Sequence, residues 1–184
     1  MYEKYGQFID GKWHKSSTGE TYEVINPANE EIIGKASKAS PEDVDKALLS
    51  AQKGLEVWKK TPPWQRAYIL RRIADKMREK QDILAKWMTL EVGKPFAEAK
   101  GEVNGAADIY EWNAEETKRI YGQTVESRFE DTRVHVYYQP VGVVAALVPW
   151  NFPLVLSARK ISTALAAGCS VIVKPDVITP GVVM

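Results

Sequence analysis

Two short apolar runs near the end of the chain, Val141 to Leu147 and Val171 to Val173, most constrain what it can fold into. Strands that are apolar on both faces are typical of a parallel sheet covered by helices, and the segment between these two runs has helical character. Open α/β sheets bind ligands at the carboxyl ends of their strands. The sequence therefore predicts an α/β fold that carries Trp150, Asn151 and Lys174 at one edge of the sheet.

The preceding residues predict short strands and then several helices. The predicted strands are a hairpin over Phe8 to Trp13 that turns at Asp10-Gly11, followed by Tyr22 to Ile25 and Ile32 to Ala36. Ser40 has the pattern of a helix N-cap, with Pro41 at the first helical position and Asp43 three residues after the cap. The first helix follows it, a second begins near Trp64, and a third ends at Gly93-Lys94-Pro95.

A fourth helix is predicted from about Ala97 to Tyr121, with Gly122 capping its end. One face of this helix is apolar or small: Val103, Ala106, Ala107, Tyr110, Ala114, Thr117 and Tyr121. The period then changes to that of strands, and Thr124 to Ser127 and Val134 to Gln139 predict a hairpin around Glu130-Asp131. The second strand alternates as a strand with one covered face does.

Composition excludes several classes of function. The chain has 184 residues, a formal net charge of +1 and 27% charged residues. These values give no electrostatic reason to expect nucleic acid or an anionic membrane as a partner, and no apolar run approaches the ~20 residues that span a bilayer. One cysteine and two histidines give no disulfide framework and no metal site. The lone cysteine and the absence of a signal peptide predict a cytoplasmic protein.

Several motifs, taken in order, resemble the N-terminal part of NAD(P)-dependent aldehyde dehydrogenases. They are F-I-D-G-K-W, V-I-N-P-A-N, E-V-G-K-P, E-A-K-G-E-V, E-W-N-A-E-E-T-K-R-I-Y-G, Q-P-V-G-V-V, V-P-W-N-F-P and A-L-A-A-G-C-S-V-I-V-K-P. The closest likeness is to succinate-semialdehyde dehydrogenases. The resemblance implies an incomplete doubly wound parallel sheet over residues 1–184, part of a cofactor-binding domain, with residues 123–139 as a protruding oligomerisation hairpin. It also implies that the catalytic domain lies outside this chain.

The resemblance assigns roles to residues of V-P-W-N-F-P. Asn151 would donate its side-chain N–H to the alkoxide that forms when a thiolate attacks an aldehyde; the alternative is an asparagine that caps the next helix. Val148, Pro149 and Trp150 would line the path of the nicotinamide half of the cofactor, whereas Trp150 could instead be a buried aromatic at a strand end.

Further roles fall on the second strand and on the helix. Lys174 would bind the ribose of the adenosine half, the alternative being a solvated strand-end lysine. Pro175, Asp176 and Val177 follow it, where relatives often carry a glutamate that selects NAD; Val177 cannot bind ribose hydroxyls, so NAD and NADP both stay open. Arg159 would bind the far carboxylate of a semialdehyde, or else be a helix or subunit contact.

The implied reaction also needs a cysteine nucleophile and a glutamate base, which in relatives lie beyond position 184. Cys169 matches a structural position in the family, and we expect it to be inert. Three hypotheses follow: part of an aldehyde dehydrogenase with the activity of its parent, a short non-catalytic relative that binds dinucleotide or modulates a full-length enzyme, or a remnant without a ligand. We expect the isolated chain to be inactive and to associate through the hairpin and an unpaired strand edge.

Overall fold

The computed structural model describes residues 2–184 and combines short strands with long helices. The strands are β1 (Gln7–Ile9), β2 (Lys12–His14), β3 (Thr21–Ile25), β4 (Ile32–Ser37), β5 (Gln123–Glu126), β6 (Arg133–Val136), β7 (Val143–Leu147) and β8 (Ser170–Lys174). The helices are a 3₁₀ turn (Tyr2–Lys4), α1 (Pro41–Trp58), α2 (Pro63–Glu79), α3 (Gln81–Val92), α4 (Phe96–Thr117), α5 (Pro153–Ala166) and α6 (Pro180–Val183). None of the helices within residues 2–184 has the length and apolar character needed to cross a bilayer.

The strands pair two by two, and the last pair is parallel. β1–β2, β3–β4 and β5–β6 are antiparallel, whereas β7 and β8 are parallel with α5 as their connection. Both α1 and α5 pack on the β7–β8 pair. The predicted α/β class with its incomplete parallel sheet is therefore confirmed.

The main core lies among the helices α2, α3, α4 and α5. Alanine is frequent in it, and a small side chain allows two helices to approach closely. Buried members of this core are Ala67, Leu70, Ala74, Ala85, Met88, Ala99, Val103, Ala106, Ala107, Tyr110, Ala114, Leu154, Ala158, Ala166 and Val182. This layer supports α5, the helix that follows the V-P-W-N-F-P segment.

Local signals predicted several ends of elements correctly. The hydroxyl of Ser40 accepts from the main-chain N–H of Asp43, and the Asp43 carboxylate accepts from the N–H of Ser40, so the capping box forms. Gly93 ends α3 with φ 73°. Asp10 and Gly11, with φ of 52° and 75°, form the tight turn between β1 and β2.

The predicted end of the fourth helix is wrong. α4 ends at Thr117, and its C-cap is Lys118 in a right-handed conformation. Tyr121 lies beyond the helix and is 69% exposed. Gly122 is not a cap; a Cβ there would lie 2.5 Å from the carbonyl oxygen of Val136, so the glycine allows a close approach to β6.

β6 and β7 are shorter and more open than predicted, whereas β8 is longer than predicted. β6 ends at Val136, and both Val134 and Tyr138 on the face predicted to be covered are exposed. β7 begins at Val143, after Gly142 with φ 126°. Because β7 and β8 have only each other as neighbours among the described residues, their outer sides are not buried, and Leu147 is 64% exposed.

Candidate active site

The predicted site edge lies where β7 and β8 end side by side. Leu147 and Lys174 are register partners at the ends of the two strands. The main-chain N–H of Val148 donates to the carbonyl oxygen of Lys174 over 3.1 Å, which extends the pairing one residue past β7. The structure thus brings the segments that begin at Val148 and at Lys174 to the same edge.

Side chains along the first segment differ in exposure. Val148 is buried, Pro149 is exposed, and Trp150 is 48% exposed. The alternative of Trp150 as a buried aromatic is therefore wrong. The indole lies at the edge of the sheet with about half of its surface open.

Asn151 is exposed and does not cap α5. Phe152 occupies the N-cap position of that helix, without a capping hydrogen bond from its side chain. The first N–H groups of the helix donate to another residue instead: those of Leu154 and Val155 donate to Oε1 of Glu102 over 3.0 and 3.3 Å. This arrangement removes the capping alternative and leaves the Asn151 amide at the surface of the site edge.

Glu102 and Lys94 are site residues to which sequence reasoning gave no role. Lys94 follows α3, and Glu102 lies on α4; their side chains form a buried ion pair, 10% and 2% exposed. The Lys94 ammonium also donates to the carbonyl oxygen of Asn151 over 3.3 Å. The motifs E-V-G-K-P and E-A-K-G-E-V contained the only signal for this pair.

Arg159 and Lys160 lie on α5, beyond the loop that carries Asn151. Both are exposed, and the Lys160 ammonium donates to the carbonyl oxygen of Leu147 at the end of β7. Arg159 lies six residues into the helix from Pro153, about 9 Å along its axis. The Arg159 guanidinium forms no hydrogen bond or ion pair within residues 2–184. A polar contact inside the described chain therefore does not account for an arginine at this position.

The segment after β8 turns locally. Pro175 and Asp176 are half-buried, and Oδ1 of Asp176 accepts from the main-chain N–H of Ile178 over 3.1 Å. Val177 is 54% exposed. The carboxylate of Asp176 is thus used within its own turn, and Val177 presents an apolar side chain beside it.

Cys169 lies at the wrong end of the sheet for chemistry beside Asn151. It is 3% exposed and precedes Ser170, which pairs with Val143 at the start of the strands. From Ser170 to Lys174 the strand rises roughly 13 Å. The prediction that this thiol is structural agrees with its position. Residues 2–184 also contain no cluster of three or more His, Cys, Asp or Glu side chains that could hold a metal ion.

With this edge described, comparison with known proteins defines the class of protein. The sequence profile described as "Aldehyde dehydrogenase family" matches residues 13–184. The chain therefore belongs to the aldehyde dehydrogenase family.

Individual members of this family are similar to the chain over most of its length. It is 47% identical over 173 residues to glutarate-semialdehyde dehydrogenase of Pseudomonas aeruginosa, which covers 94% of the chain and 36% of that protein. It is 46% identical over 172 residues to succinate-semialdehyde dehydrogenase (NADP(+)) of Escherichia coli, with the same two shares. The chain thus spans about a third of the length of these curated relatives, at their N-terminal part.

Solved structures agree in fold. An NADP-dependent enzyme of E. coli superposes with a TM-score of 0.92 at 46% identity, covering 94% of this chain and 36% of that one. Betaine aldehyde dehydrogenase of Staphylococcus aureus in complex with NAD+ gives 0.92 at 36% identity, covering 95% and 35%.

Proposed function

We propose that this chain is the N-terminal part of an NAD(P)-dependent aldehyde dehydrogenase that oxidises a semialdehyde, such as succinate semialdehyde, to the dicarboxylic acid. In the overall reaction the aldehyde and water give the acid, a hydride passes to the cofactor, and a proton is released. The observation that carries this proposal is the exposed Asn151 amide beside the paired ends of β7 and β8. Asn151 does not cap α5, because Glu102 accepts the hydrogen bonds from the start of that helix.

The chemical task of Asn151 is to donate to an oxyanion. When a thiolate adds to the aldehyde carbon, the carbonyl oxygen becomes an alkoxide, and a fixed N–H donor lowers the energy of that state more than that of the uncharged aldehyde. The thiolate of the reaction would come from outside residues 2–184, because the single cysteine, Cys169, is buried at the opposite strand end. The family resemblance places the glutamate base outside this chain as well. We therefore expect no turnover by the chain alone.

The site edge at the ends of β7 and β8 would hold NAD or NADP, whose nicotinamide ring accepts the hydride. Trp150 offers a half-open indole for the nicotinamide path, beside Val148 and Pro149. Lys174 is exposed at the end of β8, and an ammonium with three donors suits ribose hydroxyls. These residues fit a dinucleotide, with Pro175 and Asp176 continuing the edge. Val177 offers no acceptor for the ribose hydroxyls, so the side chains do not favour NAD over NADP.

The substrate class rests on Arg159. Succinate- and glutarate-semialdehyde dehydrogenases are named among the relatives, and both of these substrates carry a carboxylate at the end away from the aldehyde. An exposed guanidinium on α5 can bind such a group through two parallel hydrogen bonds. Arg159 would thus bind the far end of the substrate while Asn151 donates to its reacting end.

A second candidate function is favoured by the β5–β6 hairpin. Its strands are exposed, and apolar side chains lie on them and just after them: Val125, Val134, Tyr137 and Tyr138. An exposed strand edge with such side chains pairs readily with another chain. The chain could thus join a homo-oligomer or bind full-length subunits in the cytoplasm, and a short form could modulate such an enzyme without catalysing the reaction.

Two assays separate these functions. The complete open reading frame around this segment is assayed with succinate semialdehyde and NAD+ or NADP+, and we expect formation of the reduced cofactor. The isolated chain is then assayed in the same way and titrated with each cofactor by calorimetry. Turnover by the complete protein alone supports the dehydrogenase assignment. If the isolated chain binds the cofactor tightly and the complete open reading frame shows no turnover, the non-catalytic function is supported instead.

A further inference from the structure

The buried ion pair of Lys94 and Glu102 lies under the segment that carries Asn151. Glu102 is on the second turn of α4, and Lys94 is in the turn between α3 and α4. Neither residue is on the strands that form the site edge. Their side chains nevertheless reach the start of α5, and they are 10% exposed for Lys94 and 2% exposed for Glu102.

The pair holds both ends of the Asn151 to Val155 segment. At its far end, Glu102 Oε1 accepts from the N–H groups of Leu154 and Val155 over 3.0 and 3.3 Å. At its near end, the Lys94 ammonium donates to the carbonyl oxygen of Asn151 over 3.3 Å. The same ammonium lies 3.9 Å from the ring centroid of Phe152, and it is paired with the other oxygen of Glu102.

These contacts are strong for physical reasons. The first N–H groups of a helix have no partner within the helix, and a carboxylate at that end is favoured by the helix dipole. Hydrogen bonds to charged groups are roughly twice as strong as those between neutral groups. Because the pair is buried, water does not replace a lost partner readily.

We infer that the Lys94–Glu102 pair is a positioning device for Asn151. It fixes the main chain from which the side-chain amide projects, and so fixes the distance from that amide to the developing oxyanion. Among the described residues, the side-chain amide forms no hydrogen bond with Lys94 or Glu102, so the pair acts through the backbone. This inference rests on the proposed function, in which Asn151 is the oxyanion donor.

Such positioning has a kinetic signature. A misplacement of about 1 Å in a catalytic group lowers the rate by as much as about 10²-fold. Loss of the pair should therefore lower kcat while changing the KM for NAD(P)+ little, since neither Trp150 nor Lys174 is hydrogen-bonded to the pair. A role confined to helix stability would instead lower the amount of folded enzyme without changing kcat per folded molecule.

The test uses Lys94→Met in the complete dehydrogenase, alone and combined with Asn151→Ala. We expect Lys94→Met to lower kcat by about 10- to 100-fold in the wild-type background, and to have less than about a threefold effect once Asn151 is alanine, because residues that act as one unit are not additive. The matched control is Lys100→Met, which removes the surface ion pair between Lys100 on α4 and Asp82 on α3.

The outcomes separate the two proposals. Equal losses from Lys94→Met in both backgrounds, or an unchanged kcat, would overturn the positioning role while leaving the oxyanion role of Asn151 in place. If Asn151→Ala has full activity in the complete enzyme, the oxyanion role of Asn151 fails, and the positioning role that depends on it fails with it. If Lys94→Met does not fold, Glu102→Gln answers the same question in the same cycle, because it keeps the size of the side chain and one acceptor.

Discussion

The N–H of Val148 lies 3.1 Å from the carbonyl oxygen of Lys174 and donates to it, which joins the two chain segments that form the candidate active site. This bond lies one residue beyond the last register pair of the parallel strands, Leu147 and Lys174. The loop with Trp150 and Asn151 therefore begins from a fixed point beside the lysine proposed to bind ribose.

Arg159 provides a test of substrate class. We expect Arg159→Gln to raise the KM of the complete enzyme for succinate semialdehyde about 10- to 100-fold, since a hydrogen bond to a charged group contributes about 1.5–3 kcal/mol. The KM for an uncharged aldehyde of similar length should stay within about twofold, because it has no carboxylate to lose. Steady-state kinetics with both substrates measures this. An equal rise for both aldehydes would contradict the carboxylate role.

Asp43 makes the stability of the chain sensitive to acid. Its carboxylate accepts from the N–H groups of Ser40 and Ser17 over 3.0 and 3.1 Å. The hydrogen bond from Ser40 is the largest cause that holds the pKa of Asp43 below its usual range. A carboxyl whose pKa is lower in the folded than in the unfolded chain stabilises the folded state at pH values above its unfolded-state pKa, about 3.9 for aspartate. This stabilisation is lost as the pH falls through the folded-state pKa.

We therefore expect the free energy of unfolding to fall below about pH 4, and to fall less steeply in Asp43→Asn. Urea unfolding at a series of pH values measures both slopes. Asp45→Asn, at an exposed position of the same helix, is the control. Parallel pH profiles for wild type and Asp43→Asn would show that Asp43 is not responsible.

Glu91 connects the two ends of the described chain. Its buried carboxylate accepts from the Tyr2 hydroxyl and from the N–H groups of Gly181 and Val182, over 2.6 and 3.0 Å for the latter two. Burial is the main cause that raises the pKa of Tyr2, so the phenol stays a donor.

Glu91→Gln places an N–H₂ group against main-chain donors and should lower the free energy of unfolding by about 1–3 kcal/mol. Glu98→Gln, at an exposed position on α4, should change it little. Urea unfolding of the two variants beside wild type makes the comparison, and equal midpoints for all three proteins would contradict a role for the three hydrogen bonds.

Sequence patterns predicted the features that depend on neighbouring residues. The capping box at Ser40 and the left-handed Gly93 are set by a few adjacent residues, and both formed. The carboxyl-end placement of Asn151 and Lys174 followed from the parallel pairing of two apolar strands. The pattern at Gly122 predicts a helix cap, which is wrong because the constraint on this glycine is a tertiary contact with the carbonyl of Val136.

The Lys94–Glu102 pair was beyond sequence reasoning for the same reason. The two residues meet only when the end of α3 and the start of α4 pack beside α5. The spacing of apolar residues in the sequence does not predict that packing. The exposure of β6 also depends on what lies next to it, since alternation of Val134 and Val136 predicts a covered face without saying what covers it.

The proposed oxyanion role of Asn151 is tested most directly by kcat of Asn151→Ala in the complete enzyme, measured with saturating aldehyde and NAD(P)+. Asn104→Ala, at an exposed position on α4, serves as the control. We predict that Asn151→Ala lowers kcat by about 10²–10³-fold, as loss of one oxyanion donor does, with cofactor KM nearly unchanged and Asn104→Ala equal to wild type. A kcat for Asn151→Ala within about threefold of wild type would contradict the account.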